Sequence, residues 1–251
     1  MTTIHTPPEL EAALKTLKLS GMSNCLRARL DEACANQIGH AEFLMLLAQD
    51  ERLHREQQRY ERRYKKASFR GAKTIENFDF TFNPKINQPL IRDLATCRFI
   101  NEKCPVHIVG PCGTGKSHIA QALGHCALQR GFEVLCTTQT RLSEELQAAK
   151  ATNSYTRKLK ALAKLPVLII DDFGLKPLRT PQDENLHELI AERYEINTTI
   201  ITSNLAFDEW QKAFENQLLG VATIDRLRHN AHQVILEGKS YRAARKMDIK
   251  N

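Results

Sequence analysis

The sequence predicts an α/β protein in which a parallel sheet lies between layers of helices and follows a small all-helical N-terminal domain. Apolar, β-branched segments alternate with helical patterns over residues 106–236. Before residue 70 the apolar residues recur at helical spacing instead. Alternating strands and helices indicate parallel strands whose connecting helices cover both faces of the sheet. We therefore expect a helical domain over residues 1–70 and an α/β domain over residues 71–251.

The composition excludes several protein classes and favours an anionic partner. Of 251 residues, 42% are hydrophobic and 26% are charged, which is typical of a globular protein rather than a disordered one. No segment approaches the roughly 18–20 apolar residues that span a bilayer, and residues 1–19 lack the apolar core of a signal peptide. The seven cysteines include no C-x₂-C pair, so we expect a reduced, cytoplasmic protein without a membrane partner. A net charge of +7 suggests a polyanion without identifying it.

Three helices are expected in the N-terminal domain. The first has an apolar stripe formed by Leu10, Leu14 and Leu17. Gly21 is expected to end it, a second helix covers about residues 22–35, and a third begins near Ala41. The third helix continues into a basic run that consists of Arg52, Arg55, Arg59, Arg62, Arg63, Lys65 and Lys66, with Arg70 following. Such a run is either a solvated helix face or a surface that binds nucleic-acid phosphates, and its single sign favours phosphate binding.

Segment 71–89 is rich in turn residues and is interpreted as the connection into the α/β domain. Five strands are expected at residues 106–109, 133–136, 167–170, 198–202 and 234–236. Helices are expected at residues 117–129, 141–164 and 183–194. The order of these elements places a glycine-rich loop between the first strand and the first helix of the domain.

That loop fits the phosphate-binding pattern G-x-x-x-x-G-K-[ST] at every fixed position. It comprises Gly110, Pro111, Cys112, Gly113, Thr114, Gly115, Lys116 and Ser117, and we include the following His118 among the nucleotide-binding residues. The glycines allow the backbone N–H groups to face phosphate oxygens, and the helix that follows adds its positive dipole end. Lys116 is suited to the β- and γ-phosphates, and the hydroxyl of Ser117 is suited to Mg²⁺. The loop therefore predicts binding of ATP with Mg²⁺.

Two further strand ends carry polar residues suited to hydrolysis. Asp171 and Asp172 end an apolar strand, where carboxylates of parallel sheets point into the ligand crevice. Asp171 is expected to hold Mg²⁺ together with Ser117, and Asp172 to orient or deprotonate the attacking water. Asn204 ends the next strand and is expected to reach the γ-phosphate or that water. The alternatives are a solvated acidic turn and an asparagine that only terminates a strand.

These motifs together resemble AAA+ ATPases, and their finer pattern resembles the IstB-like ATP-binding proteins, which help insertion-sequence transposases and are related to DnaC-type helicase loaders. The resemblance spans about residues 74–245 and is less specific in the N-terminal part. It rests on the segments 77–80 (Asn-Phe-Asp-Phe), 170–174 (Ile-Asp-Asp-Phe-Gly), 192–195 (Glu-Arg-Tyr-Glu), 201–205 (Ile-Thr-Ser-Asn-Leu) and 240–242 (Ser-Tyr-Arg).

The resemblance implies a role for several single residues. Lys116 matches the Walker-A lysine, Asp171 and Asp172 the Walker-B pair, and Asn204 sensor 1. Arg226 matches an arginine finger supplied by a neighbouring subunit, with Arg228 as the alternative, and Arg242 matches sensor 2. Asp172 stands where many AAA+ proteins have glutamate, which puts the hydrolysis rate in doubt. Only nine residues follow Arg242, so the resemblance implies a domain without a separate helical lid.

The resemblance also implies partners. It predicts a homo-oligomer, a ring or a helical filament, that assembles with ATP on duplex DNA and presents it to the transposase of the same element. In the loader clade a polar helical region faces the central channel, and here that region contains Lys150, Arg157, Lys158, Lys160 and Lys164. A replicative helicase loader and a nucleotide-switched protein adaptor are the alternatives. We identify no transposase-type acidic triad, so we do not expect this chain to cut DNA.

Overall fold

A computed structural model describes residues 8–241 of the chain, so Arg242 lies outside the described residues. Two compact units make up the chain, Met1–Arg62 and Arg63–Asn251. The boundary between them lies inside a helix and precedes the boundary after residue 70 that the sequence suggests. No helix within residues 8–241 is long and apolar enough to cross a membrane.

The helices of the first unit are α1 (Pro8–Thr16), α2 (Ser20–Asn36) and α3 (His40–Ala67), of which α3 continues into the second unit. Their common core is formed by Leu14, Leu26 and Leu47. The prediction that Gly21 ends the first helix is wrong, because Gly21 lies in the first turn of α2. A Cβ atom at Gly21 would come within 2.7 Å of the Glu51 Cα, and the Gly21 N–H donates to Glu51 Oε2 at 2.7 Å. This glycine therefore permits the close approach of α2 and α3.

The second unit is built on five parallel strands in the order β2-β3-β4-β1-β5. The strands are β1 (Val106–Val109), β2 (Val134–Thr138), β3 (Val167–Phe173), β4 (Thr198–Ser203) and β5 (His232–Ile235). The helices are α4 (Gln88–Leu94), α5 (Arg98–Asn101), α6 (Lys116–Gln129), α7 (Gln139–Ala151), α8 (Tyr155–Ala163), α9 (Gln182–Arg193) and α10 (Gln217–Arg228), with a 3₁₀ helix at Phe207–Ala213. The parallel sheet with its connecting helices and the helical N-terminal region confirm the predicted α/β class.

All five predicted strands are present; β1, β3 and β4 are buried throughout, apart from Asp172 of β3, whereas in the edge strand β5 only Val234 is buried. Helices α4, α5 and α10 and the 3₁₀ helix were not predicted. In α10 the cause is visible: Leu218 and Val221 are 83% and 54% exposed, so the apolar residues do not form one buried stripe. The helical stretches predicted over residues 141–164 are two helices, α7 and α8, and Asn153 between them has a left-handed φ of 52°.

A buried arginine connects α8 to the sheet. Arg193 donates through Nη1 to the carbonyl oxygens of Leu162 at 2.7 Å and Leu165 at 2.8 Å. It also donates through Nε to Thr199 Oγ1 at 3.0 Å and through Nη2 to the Thr198 carbonyl. Burial lowers the pKa of Arg193 to about 9, so the guanidinium remains charged at neutral pH. Its role in the Glu-Arg-Tyr-Glu segment is therefore structural, since it satisfies the carbonyl groups at the end of α8.

Replacing Arg193 by glutamine is expected to destabilise the protein by about 3 kcal/mol, because the buried carbonyl groups would lose their donors. Urea unfolding followed by circular dichroism measures the change. Arg92→Gln, at an exposed position on α4, is the matched control and is expected to change stability by less than about 0.5 kcal/mol. Equal effects of the two substitutions would contradict the structural role.

Candidate functional site

The glycine-rich loop connects the end of β1 at Val109 to the start of α6 at Lys116. Two of its glycines are needed for backbone conformation as well as for space. Gly113 and Gly115 have φ angles of 84° and 100°, which side-chain-bearing residues rarely adopt. A Cβ atom at Gly115 would also come within 2.6 Å of the Phe78 ring. The loop therefore holds its backbone N–H groups in a curl at the N-terminus of α6, where the helix dipole favours an anion.

The lysine of the loop is held close to the loop's own backbone. Lys116 is buried, and its Nζ donates to the Pro111 carbonyl oxygen at 2.7 Å. The hydroxyl of Thr114 donates to the same carbonyl at 2.9 Å. The ammonium group is thus positioned over the concave side of the loop, where a phosphate oxygen can replace the carbonyl as its acceptor.

The two carboxylates at the end of β3 line the same cavity because the strand is irregular there. Consecutive side chains of a regular strand point to opposite faces of the sheet. Between Ile170 and Phe173 the register with β4 shifts, and Asp172 has a left-handed φ of 58°. This irregularity brings Asp172 to the cavity that Asp171 also lines.

One hydroxyl group on the neighbouring strand fixes both residues. Thr202 Oγ1 donates to Asp171 Oδ1 and accepts a hydrogen bond from the Asp172 backbone N–H at 3.1 Å. Both Thr202 and Asp171 are buried, so these bonds are protected from water. From the sequence, Thr202 is expected only as part of a strand end, because its neighbours in the sequence do not distinguish it from the other threonines of β4.

The cavity has a volume of about 560 Å³ and brings most of the predicted nucleotide residues together. The predicted residues that line it are Cys112, Gly113, Thr114, Gly115, Lys116, Ser117, His118, Asp171, Asp172 and Asn204. Gly110 and Pro111 form the start of the loop. A Cβ atom at Gly110 would meet the Leu236 carbonyl oxygen at 2.1 Å, so this position too requires glycine.

The residues fit a magnesium ion. Ser117 begins the first turn of α6 and lines the cavity together with the carboxylates of Asp171 and Asp172. Hydroxyl and carboxylate oxygens are the ligands that Mg²⁺ prefers, alongside phosphate oxygens and water.

Another part of the cavity wall is aromatic. Most of it comes from segment 71–89, which the sequence indicates only as a connection. Phe78, Phe82 and Tyr241 line the cavity together with Ile86. The ring centroids of Phe82 and Tyr241 are 4.9 Å apart, in an edge-to-face arrangement. Aromatic and aliphatic surfaces of this kind suit a planar base. The spacing of these residues in the sequence does not indicate this role, because the role depends on where segment 71–89 crosses the glycine-rich loop.

Arg226 does not line this cavity. It lies near the end of α10 and lines a second cavity of about 240 Å³, together with Arg193 and Tyr194. Its Nη1 is 3.2 Å from His187 Nε2, and His187 Nδ1 is 2.8 Å from Thr223 Oγ1. The guanidinium is therefore held by its own subunit, outside the cavity that contains Lys116.

The basic residues suggested for DNA binding differ in their surroundings. On α3 the side chains of Arg52, Arg55, Arg59, Arg62, Lys65 and Lys66 are exposed, whereas Arg63 is half-buried and donates to the Gly131 carbonyl at 3.2 Å. On α7 and α8, Arg157 and Lys160 are exposed, Lys150 lies 4.8 Å from the Tyr155 ring centroid, and Lys158 pairs with Glu145 at 2.6 Å. Arg70 lines the 560 Å³ cavity.

The chain is similar in sequence to ATP-binding proteins of insertion sequences. A sequence model described as "IstB-like ATP binding protein" matches residues 12–248. The chain is 39% identical to an ATP-binding protein in an insertion sequence of Mycobacterium tuberculosis, over 94% of each chain. It is 36% identical to the ATP-binding protein of insertion sequence IS21 from Pseudomonas aeruginosa, over 95% of this chain and 90% of the relative.

Two solved structures share the fold. AMPPCP-bound DnaA from Aquifex aeolicus superimposes with a TM-score of 0.59 and 17% identity, covering 73% of this chain and 56% of DnaA. The DnaC helicase loader superimposes with a TM-score of 0.52 and 23% identity, covering 58% of this chain and 85% of DnaC.

Proposed function

Because the chain belongs to the family of IstB-like ATP-binding proteins, we propose that it is a Mg²⁺-dependent ATPase that assists the transposition of an insertion sequence. The observation that carries the proposal is the cavity in which the phosphate loop faces Asp171, Asp172 and Asn204. A loop that binds phosphates and a carboxylate pair at the neighbouring strand end are the parts that hydrolysis requires. The named relatives that match over almost the whole chain are ATP-binding proteins of insertion sequences.

The residues of the cavity have separate roles in this reaction. Lys116 exchanges the Pro111 carbonyl for oxygens of the β- and γ-phosphates, and the loop N–H groups bind the remaining phosphate oxygens. Ser117 and Asp171 would hold Mg²⁺, which when bound would neutralise charge that develops on the phosphates. Asp172 accepts a hydrogen bond, or the proton, from the attacking water, and Asn204 orients that water. Thr202 positions the Asp171 carboxylate and the Asp172 backbone without lining the nucleotide cavity.

Thr202→Val is expected to lower kcat for ATP hydrolysis about tenfold to hundredfold, because the Asp171 carboxylate and the Asp172 backbone would lose the hydroxyl that holds them in place. The dissociation constant for ATP is expected to change by less than about threefold, since Lys116 and the loop are untouched. Steady-state kinetics and equilibrium binding separate the two effects. Thr156→Val, at an exposed position on α8, is the control. An unchanged kcat would refute the positioning role.

Arg226 is proposed to act on the nucleotide of a neighbouring subunit. It is held by His187 in a cavity separate from the one that contains Lys116. A head-to-tail contact between copies would place this residue against the next subunit's nucleotide and would generate a ring or a helical filament. ATP then favours assembly, because the nucleotide completes the contact between subunits.

This arrangement predicts complementation between two inactive variants. Lys116→Ala cannot bind ATP productively, and Arg226→Ala lacks the finger, which is typically worth about 10³–10⁵ in rate. A mixture of the two is expected to regain a substantial fraction of the hydrolysis rate, because Lys116→Ala subunits supply Arg226 to intact sites. The readout is phosphate release against mixing ratio. Arg228→Ala mixed with Lys116→Ala distinguishes the alternative finger, and no recovery in either mixture would contradict action between subunits.

The exposed arginine and lysine residues of α3 and α8 support duplex DNA as the polyanion. Lys158 and Arg55 are paired with Glu145 and Glu51 at 2.6 Å each, so fewer basic residues are available than the sequence suggests. Contacts to the phosphate backbone give affinity that is independent of sequence and falls with salt. The partner transposase would then receive DNA that is already bound by the ATP-assembled protein.

We expect the wild-type protein with ATP to bind a duplex more tightly than a matched single strand, and Lys116→Ala to lose this ATP-dependent binding. Fluorescence anisotropy at several salt concentrations provides the affinity and its salt dependence. The logarithm of the binding constant is expected to fall by roughly 0.9 per phosphate contact for each tenfold rise in salt. Arg59→Ala and Arg62→Ala are expected to reduce that slope, with Lys212→Ala as the control.

Preference for the single strand would instead support a replicative helicase loader. Absence of DNA binding in every nucleotide state would support a nucleotide-switched protein adaptor.

A further inference from the structure

The segment that follows α3 runs along α6 towards its phosphate-binding end. The Phe69 ring lies 4.4 Å from the His125 ring, centroid to centroid. One residue later, the Arg70 N–H donates to Gln121 Oε1 at 2.9 Å. His118 Nε2 then lies 2.8 Å from the carbonyl oxygen of Thr74. The contacts on α6 therefore move from residue 125 to 121 to 118 as the segment proceeds from residue 69 to 74.

This path is fixed by close packing as well as by hydrogen bonds. A Cβ atom at Gly124 would come within 2.9 Å of the Phe69 ring and 2.8 Å of Ile169. The absence of a side chain at Gly124 thus permits Phe69 to lie against α6. Tyr64, in the last turns of α3, also packs on the Phe69 ring, with 5.9 Å between the ring centroids. The backbone of the segment is thereby anchored beside the phosphate loop.

Two cations project from this anchored segment into the cavity. Arg70 and Lys73 line the cavity together with Lys116, and within residues 8–241 neither forms a salt bridge with a carboxylate. Burial most strongly, and then the charge of Asp171, raises the pKa of the Cys136 thiol, whereas the charges of Arg70 and Lys73 lower it. Cys136 lies on β2 and is paired with Ile169 of β3, two residues before Asp171.

Two acidic residues of the cavity have hydrogen-bond partners other than these cations. Asp79 accepts hydrogen bonds from the Thr81 and Phe82 N–H groups at 2.9 and 3.2 Å. Asp171 is bound by the Thr202 hydroxyl. An arginine and a lysine that face a cavity already containing a phosphate loop are suited to a polyphosphate, because charge-assisted hydrogen bonds to phosphate are the strong ones.

We propose that Arg70 and Lys73 bind the terminal phosphates of the nucleotide in the same subunit and make segment 68–77 a sensor of the γ-phosphate. The inference rests on the proposed ATPase function. The segment that carries Arg70 and Lys73 follows α6 towards Lys116, so these side chains are assigned to the phosphates rather than to the base. The backbone of the segment is already anchored, so ATP fixes the two side chains, and loss of the γ-phosphate frees them. Arg70 is thereby assigned to nucleotide rather than to DNA.

Nucleotide affinities of the full-length chain test the assignment. Isothermal titration calorimetry with AMPPCP and with ADP is applied to wild type, Arg70→Ala, Lys73→Ala and the control Arg92→Ala. Each cavity variant is expected to weaken AMPPCP binding about tenfold and ADP binding less than about threefold, since a charge-assisted contact to the terminal phosphate is lost. Arg70→Lys and Lys73→Arg are expected to restore most of the affinity for AMPPCP.

The remaining outcomes are distinguishable. Equal affinities of the alanine variants and wild type for both nucleotides overturn the inference, as do equal losses for AMPPCP and ADP. An Arg70→Ala protein that binds both nucleotides normally, but no longer binds duplex DNA when nucleotide is absent, also overturns the inference. That result assigns Arg70 to DNA. If Lys116→Ala binds AMPPCP as tightly as wild type does, the proposed ATPase function itself fails. Thermal melting verifies folding, and melting temperatures near wild type are expected because neither side chain is buried.

Discussion

The hydrogen-bond register of β4 with its two neighbours is the constraint on which the site depends. Ser203, the last residue of β4, is paired with Val109 of β1 on one side and with Phe173 of β3 on the other. The Gly110 N–H continues this ladder to the Ser203 carbonyl oxygen at 3.2 Å. Because all three strands end at the same level, the glycine loop, the carboxylate pair and Asn204 are brought to one edge of the sheet. Parallel strands make this possible, since their carboxyl ends share an edge.

The parts of this site that local sequence determines could be predicted. The phosphate loop has fixed residue types because backbone curvature demands glycine at positions such as Gly113 and Gly115. The central strands could be predicted because they are rich in β-branched residues and are buried on both faces. Thr202 could not, since its importance arises from a pairing between β3 and β4 that is set by the whole sheet. Gly21 was misinterpreted for the same reason: its lack of a side chain serves contact with α3 rather than helix termination.

The basic character of the chain is divided among different physical tasks. Arg193 is buried and holds carbonyl groups, and Lys158 and Arg29 pair with carboxylates at 2.6 and 2.7 Å. Arg70 and Lys73 face the nucleotide cavity, whereas several arginines of α3 remain exposed. The number of basic residues counted from the sequence therefore overstates the number available to DNA. Six of the exposed basic residues lie together on α3, which is the helix that the proposed function favours for a phosphate backbone.

Under the proposed function, the position of Arg226 links hydrolysis to assembly. Its guanidinium is held by His187 and lines a cavity whose wall includes the buried Arg193, so α9 and α10 support it from within its own subunit. Residues 8–241 place no arginine other than Arg70 in the wall of the nucleotide cavity. Under the proposed function, Arg226 of another copy of the chain adds a charge at the γ-phosphate to those that Lys116, Arg70 and Lys73 supply from the same subunit. Under the proposed function, the nucleotide site of one subunit is catalytically incomplete without a neighbouring subunit. The neighbour that completes the site also extends the assembly.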